Sequence, residues 1–224
     1  GRGSCKESRV NGHRPGNSSM PRIAAIAAAS LTVVALAAGT FFALRPGADD
    51  PYADCRTAKV VGTAAIGGPF TLTSSTGARV TDKDVITKPT LVYFGYAFCP
   101  DVCPTDLARN ATAADILAER GIDVGQVFIT TDPARDTPAV LGDYAPMIHP
   151  GLVGLTGTPE EIAEVASAYK VFYRKSGDDP ETYLMDHSTF TYLMGPGNQF
   201  LEFYPSSASA ETLADSVTCF SEAA

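Results

Sequence analysis

The sequence predicts an α/β protein, a central sheet covered by helices on both sides and preceded by one N-terminal transmembrane helix. Three observations carry this. Ile23–Leu44 runs 22 residues without a charge, enough to cross a bilayer core of roughly 30 Å as a helix. "TLVYFGY", Thr90–Tyr96, is an unbroken β-branched and aromatic run, the pattern of a strand buried on both faces. After it, helical and strand patterns alternate until a closing hairpin and helix, the order of a layered α/β domain.

The elements follow in chain order. Residues 1–22 are polar and patternless through Ser19 and read as a disordered cytoplasmic segment. Residues 23–44 are the anchor. The run is long for the apolar region of a cleaved signal peptide, which is the weaker alternative. Arg2, Lys6, Arg9, Arg14 and Arg22 precede the run and only Arg45 follows closely. The positive-inside rule therefore holds the N-terminus in the cytoplasm and sends the rest of a single-pass inner-membrane protein into the periplasm. Residues 45–54, "RPGADDPYAD", are a proline, glycine and acidic linker, and residues 55–224 form the folded domain.

Within that domain Phe70 and Leu72 mark an alternating strand that turns at "SSTG". The buried strand Thr90–Tyr96 leads through "AFCPDVC" to a helix opening at Pro104, where proline suits the first turn. Leu107, Ala111, Ala114, Ile116 and Leu117 keep helical spacing there until Gly121. "DVGQVFITTD" is a strand, "TPAVLGDYAPMIH" a helix and "GLVGLTG" a short strand. Thr158 with Glu161 forms a capping-box pattern at the head of "PEEIAEVASAYK". After a loop at "SGDDPE", "STFTYLMGPGNQFLEFY" is a hairpin about "GPGN", and "SASAETLADSVTCF" a final helix.

The formal charge is −8, and from Pro46 onward 11 Lys and Arg stand against 24 Asp and Glu. Nucleic acid is excluded as a partner, because phosphate binding needs a basic surface. Four of the five cysteines lie beyond the anchor, in an oxidising setting where a thiol persists only if kept reduced or metal-bound. Three pairings are open to them. Cys55 and Cys219, at the two ends of the domain, are expected to form a clasp, with extra metal ligation as the alternative.

Cys99 and Cys103 fall in a strand-to-helix turn, where the helix dipole and free backbone N–H groups favour thiolate. Thiolate is both the nucleophile and the metal-binding form, so a disulfide, redox chemistry and a metal all remain open. Three residues separate the sulfurs, one more than in the usual oxidoreductase motif, and the wider loop lets both point at one ion. Two thiolates favour a soft ion, and one imidazole completes a trigonal site suited to Cu(I). His13 lies before the anchor and His149 ends a helix, which leaves His187, either as ligand or as a hydrogen-bonding loop residue.

"FGYAFCPDVCP", "TTDPARDTP", "GLTGTPEEI" and "YLMDHSTFTYLMGP", in this order behind a membrane anchor, resemble the Sco/SenC family of copper-binding, thioredoxin-like proteins over roughly Cys55 to Cys219. The resemblance implies a thioredoxin-like fold with a central mixed sheet. It implies copper, as Cu(I) or Cu(II), held by Cys99, Cys103 and His187. It also implies a chaperone role in assembling the binuclear copper centre of cytochrome c oxidase subunit II, with another periplasmic copper donor upstream. The alternative is a thiol:disulfide oxidoreductase whose catalytic Cys99 and Cys103 reduce the cysteines of that copper site, and a thiol peroxidase is a distant third. A metallochaperone is expected ahead of a turnover enzyme.

Five further readings accompany the site. Asp186 is a candidate to orient the His187 ring. Asp101 can tune the thiols or simply be solvated. Met194 is expected in the core rather than on copper, and Met185 carries no ligand cluster with it. Asp132, Arg135 and Asp136 are expected to stabilise their own loop. Asn110 in "NAT" falls inside a helix, against glycosylation.

Overall fold

The computed structural model describes residues 51–56 and 65–223. The expected segments at 1–22 and 23–44, and all of the linker before Pro51, lie outside the described residues. Among the described residues no helix is long and apolar enough to cross a membrane.

The elements are β1 (Thr71–Ser74), β2 (Arg79–Thr81), the single turn α1 (Asp82–Val85), β3 (Thr90–Gly95), α2 (Val102–Glu119), β4 (Gly125–Thr130), α3 (Pro138–Ile148), β5 (Leu152–Thr156), α4 (Pro159–Ala168), β6 (Tyr173–Ser176), β7 (Leu184–His187), β8 (Phe190–Gly195), β9 (Gln199–Pro205) and α5 (Ala210–Glu222). Seven strands form one mixed sheet in the order β2-β1-β5-β4-β3-β8-β9, while β6 and β7 pair separately. β3, β4 and β5 run parallel, joined by the helical crossovers that parallel strands require. β8 lies antiparallel to β3 and β1 antiparallel to β5.

All six residues of β3 are buried because both faces of the sheet are covered. Val92 and Phe94 pack with Val127, Ile129 and Leu155 beneath Ile162 and Val165 of α4. On the other face Leu91 meets Leu117 of α2 and Val217 and Phe220 of α5, and Tyr93 meets Leu107 of α2 and Leu141 of α3. Met194 is fully buried among the first of these sets, as its place in the "TYLMG" strand predicts.

Helix α2 starts at Val102, two residues before the expected Pro104. Proline at the third helical position still lies in the first turn, where no N–H is needed, so it does not mark the boundary. Thr158 and Glu161 make the capping box the sequence predicts. Asn110 is buried and donates to Thr191 Oγ1 at 3.0 Å, which removes it from any glycosylation machinery. Cys55 and Cys219 are disulfide-bonded, with Cα atoms 5.6 Å apart across 164 residues of sequence. This is the expected clasp, and closing so long a loop stabilises by roughly 5 kcal/mol in the chain-entropy account.

Candidate metal centre

β3 ends at Gly95 directly beneath the first turn of α2. A Cβ on Gly95 would stand 3.0 Å from Cys103 Sγ and 3.2 Å from Phe128 Cε2, so any side chain there would press on that sulfur, and glycine lets the strand pass close to it. The chain then rises through Tyr96, Ala97 and Phe98 to Cys99. The Cys99 N–H donates to the Tyr96 carbonyl at 3.2 Å, and the Ala97 N–H donates to Asp136 Oδ2 at 3.0 Å. Asp136 Oδ2 also accepts the Thr130 hydroxyl at 2.6 Å. Burial pushes the Asp136 carboxyl up to about 6, and its Oδ1 is buried without a partner. The Asp132, Arg135 and Asp136 loop is therefore structural, as expected, and it braces the cysteine turn from outside.

Cys103 is the second residue of α2 and is fully buried, while Cys99 is half-buried. Neither is disulfide-bonded. The Cys103 N–H, one of the donors a helix leaves free at its start, points at Cys99 Sγ at 3.3 Å. Hydrogen bonding from the Cys103 thiol, aided by the backbone N–H groups of residues 101 and 103, outweighs burial and pulls the Cys99 thiol down to about 4. Cys103 moves the opposite way, held protonated by the neighbouring sulfur and by its own burial. The pair is thus one thiolate and one thiol.

His187 is the last residue of β7, opposite Tyr173 of β6. Its ring stands edge-on to Tyr96 and Tyr93, with centroids 5.9 and 6.3 Å away. Nδ1 lies 2.9 Å from the Ser188 carbonyl oxygen. A carbonyl only accepts, so Nδ1 carries the proton and Nε2 the lone pair. Nε2 is 3.2 Å from Cys103 Sγ. Two sulfurs and one imidazole nitrogen therefore meet within 4.8 Å of one another.

Asp186 does not orient His187: alternation along β7 turns its side chain the other way, where it pairs with Arg174 at 2.7 Å. The Ser188 carbonyl does that work instead, a backbone group that no sequence letter marks. His149 lies elsewhere, and its Nδ1 accepts from the Gly151 N–H at 3.0 Å. The proton is then on Nε2, facing Asp115, so this histidine presents no lone pair to an ion. His13 lies outside the described residues. Met185 is partly buried and packs against the apolar cluster that includes Tyr96 and Leu107.

Chemically, two soft sulfur donors and one borderline nitrogen suit Cu(I) in a three-ligand site. The same pair also has the form of a nucleophilic thiolate backed by a resolving thiol.

The SCO1/SenC family model matches residues 58–222 of this chain. Protein SenC of Rhodobacter capsulatus is 53% identical over 203 residues, covering 90% of this chain and 91% of that protein. The mitochondrial protein SCO1 homolog 1 of Arabidopsis thaliana is 46% identical over 157 residues, 70% of this chain and 47% of that protein, so the chain spans about half the length of that relative. The crystal structure of Arabidopsis thaliana ScoI with copper bound is similar over 70% of this chain and 99% of that one, with 44% identity and a TM-score of 0.68.

Proposed function

Since the chain belongs to the SCO1/SenC family, we propose that it is a copper chaperone for the assembly of cytochrome c oxidase. It takes Cu(I) on Cys99, Cys103 and His187 and serves the binuclear copper centre of subunit II. Residues 23–44 hold it as a single-pass inner-membrane protein with the domain in the periplasm, where another copper donor loads it. The observation that carries this reading is the meeting of the two sulfurs and the imidazole nitrogen within 4.8 Å. The similar Arabidopsis structure, solved with copper bound, supports it.

The copper is cargo, and the chain's own groups have distinct tasks. Half-buried Cys99 is already a thiolate and makes the first attachment. Cys103 gives up its proton as the ion enters, which makes loading a proton-releasing step. His187 turns Nε2 toward the two sulfurs, because Nδ1–H is tied to Ser188. Cys99 and His187 are the more accessible donors and Cys103 the deeper one. An acceptor thiolate therefore meets the outer donors first, and exchange proceeds ligand by ligand without release of free ion.

One observation favours a second reading, a thiol:disulfide oxidoreductase acting on the cysteines of that copper site: the lowered Cys99 thiol beside a protonated Cys103. There Cys99 S⁻ attacks a sulfur of the partner disulfide and expels its other sulfur as thiolate. Cys103, losing its proton, then attacks Cys99 and frees the reduced partner.

Titration of the reduced chain with Cu(I) against a competing chelator separates the two. We expect one tightly bound Cu(I), weakened by His187→Ala, with thiol–disulfide exchange largely intact in that variant. No tight binding in the parent would put the oxidoreductase reading first.

A further inference from the structure

We infer that Arg135 and Tyr183 are positioning residues that set where His187 stands relative to the two cysteines. The inference rests on the three-ligand reading above and extends it to side chains that touch no ligand.

The problem they solve is topological. His187 sits on the β6–β7 hairpin, whose strands pair only with each other among the described residues. On its C-terminal side His187 is three residues from β8, which the main sheet holds against β3 ahead of the cysteine turn. Its N-terminal side, through β7, has no such ladder and has to be held from elsewhere.

The loop from Thr130 to Thr137 grips both the hairpin and the cysteine turn. Tyr183, immediately before β7, is buried, and its hydroxyl donates to Asp132 Oδ1 at 2.7 Å. Asp132 Oδ2 accepts from Arg135 Nε at 2.5 Å. The Arg135 guanidinium lies over the Tyr183 ring with Cζ 3.5 Å from the centroid, and Lys175 Nζ stands 4.1 Å from that centroid. On its other side Arg135 reaches the cysteine turn, 5.0 Å from the Phe98 ring and 5.8 Å from the Tyr96 ring. Tyr96 is in turn one of the two rings against His187. From Leu184, next to Tyr183, to His187 the chain is an extended strand, stiff enough for an anchor beside one end to fix the other.

Arg135 is suited to this by shape as well as charge. Its Nη2 is buried with no hydrogen-bond partner, so part of the guanidinium is satisfied by aromatic faces instead of acceptors. A flat cation joins three rings from two elements; an ammonium group has no plane with which to do so.

The test is a Cu(I) affinity cycle on the reduced full chain, using Cu(I) and a competing chelator as probe. Tyr183→Phe removes one oxygen and the tie to Asp132; Arg135→Lys keeps the charge and removes the plane. Each is expected to weaken Cu(I) binding about tenfold, the lower end of what outer partners of metal ligands contribute. Neither is expected to weaken it further in a His187→Ala background, because both act through that ring. The reduction potential of the Cys99–Cys103 pair should be unchanged in Tyr183→Phe, a readout that general damage to the domain would shift.

Parent-like affinity in both single variants overturns the inference while leaving the three-ligand site intact. A loss that persists in the His187→Ala background overturns it too, because the effect would then run through the cysteines. If His187→Ala itself leaves the parent affinity unchanged, the three-ligand reading fails first and this inference falls with it. Should Arg135→Lys fail to fold, Tyr183→Phe alone decides.

Discussion

At the scale of single residues, Cys99 and Cys103 differ in depth and in charge, and the difference comes from one backbone turn. Cys99 receives hydrogen bonds from the Cys103 thiol and N–H, and Cys103 gives them while being denied water. Lowering a thiol means that it stays ionised as pH falls, until pH passes through its own value. Alkylation of the reduced chain should therefore label Cys99 first, at a rate that stays on its plateau from pH 7 down to about 5 and declines through about 4. In Cys103→Ala the largest cause of the shift is gone, so the midpoint should rise toward the ordinary thiol range. An unchanged midpoint, read by mass spectrometry of labelled peptides, would mean that the helix start alone sets the charge. Cys99, Cys103 and His187 could be singled out in the sequence because cysteine and histidine are few, but only the family resemblance joined them into one set. Their supports could not be singled out: the Ser188 carbonyl is backbone, and the weight of Tyr183 and Arg135 depends on a contact across 48 residues of sequence.

At the scale of elements, α2 and the β6–β7 hairpin supply the two sides of the site with unequal rigidity. α2 lies on the sheet with Cys103, Leu107, Ala113, Ala114 and Leu117 all buried. β6 has one half-buried residue and three exposed ones, and β7 alternates exposed and half-buried. Few buried apolar contacts and an exposed ladder belong to low local stability. Hydrogen exchange should accordingly be faster in 173–176 and 184–187 than in 90–95, and Cu(I) should slow it in the hairpin more than in β3. Slow exchange in the apo hairpin would show that the stack on Arg135 locks it before any ion arrives. The same composition explains why "YRKS" and "LMDH" did not read as strands: with no apolar face to bury, they carry no period-two signal. "TLVYFGY" and "VFIT" were legible for the opposite reason, since each must fill both sides of the sheet.

At the scale of the whole molecule, the layered α/β architecture was legible because the order of patterns dictates it, whereas the disulfide was one of three pairings until Cys55 and Cys219 were seen 5.6 Å apart. That bond sits in the apolar set that includes Leu117, Val217 and Phe220, and Leu117 stands 14 residues beyond Cys103 on helix α2, about 21 Å along the helix axis. Replacing both cysteines by serine should lower unfolding stability by up to roughly 5 kcal/mol, since the closed loop is long, and leave Cu(I) affinity unchanged. Urea unfolding and the chelator titration measure the two separately, and a fall in affinity would mean that the clasp and the metal centre are coupled through α2. The bond also has a mechanical meaning. Tension applied between chain positions ahead of Cys55 and those beyond Cys219 passes through a single covalent link, so the intervening strands, the cysteine turn and the histidine hairpin bear no load and keep their spacing while the ends are pulled.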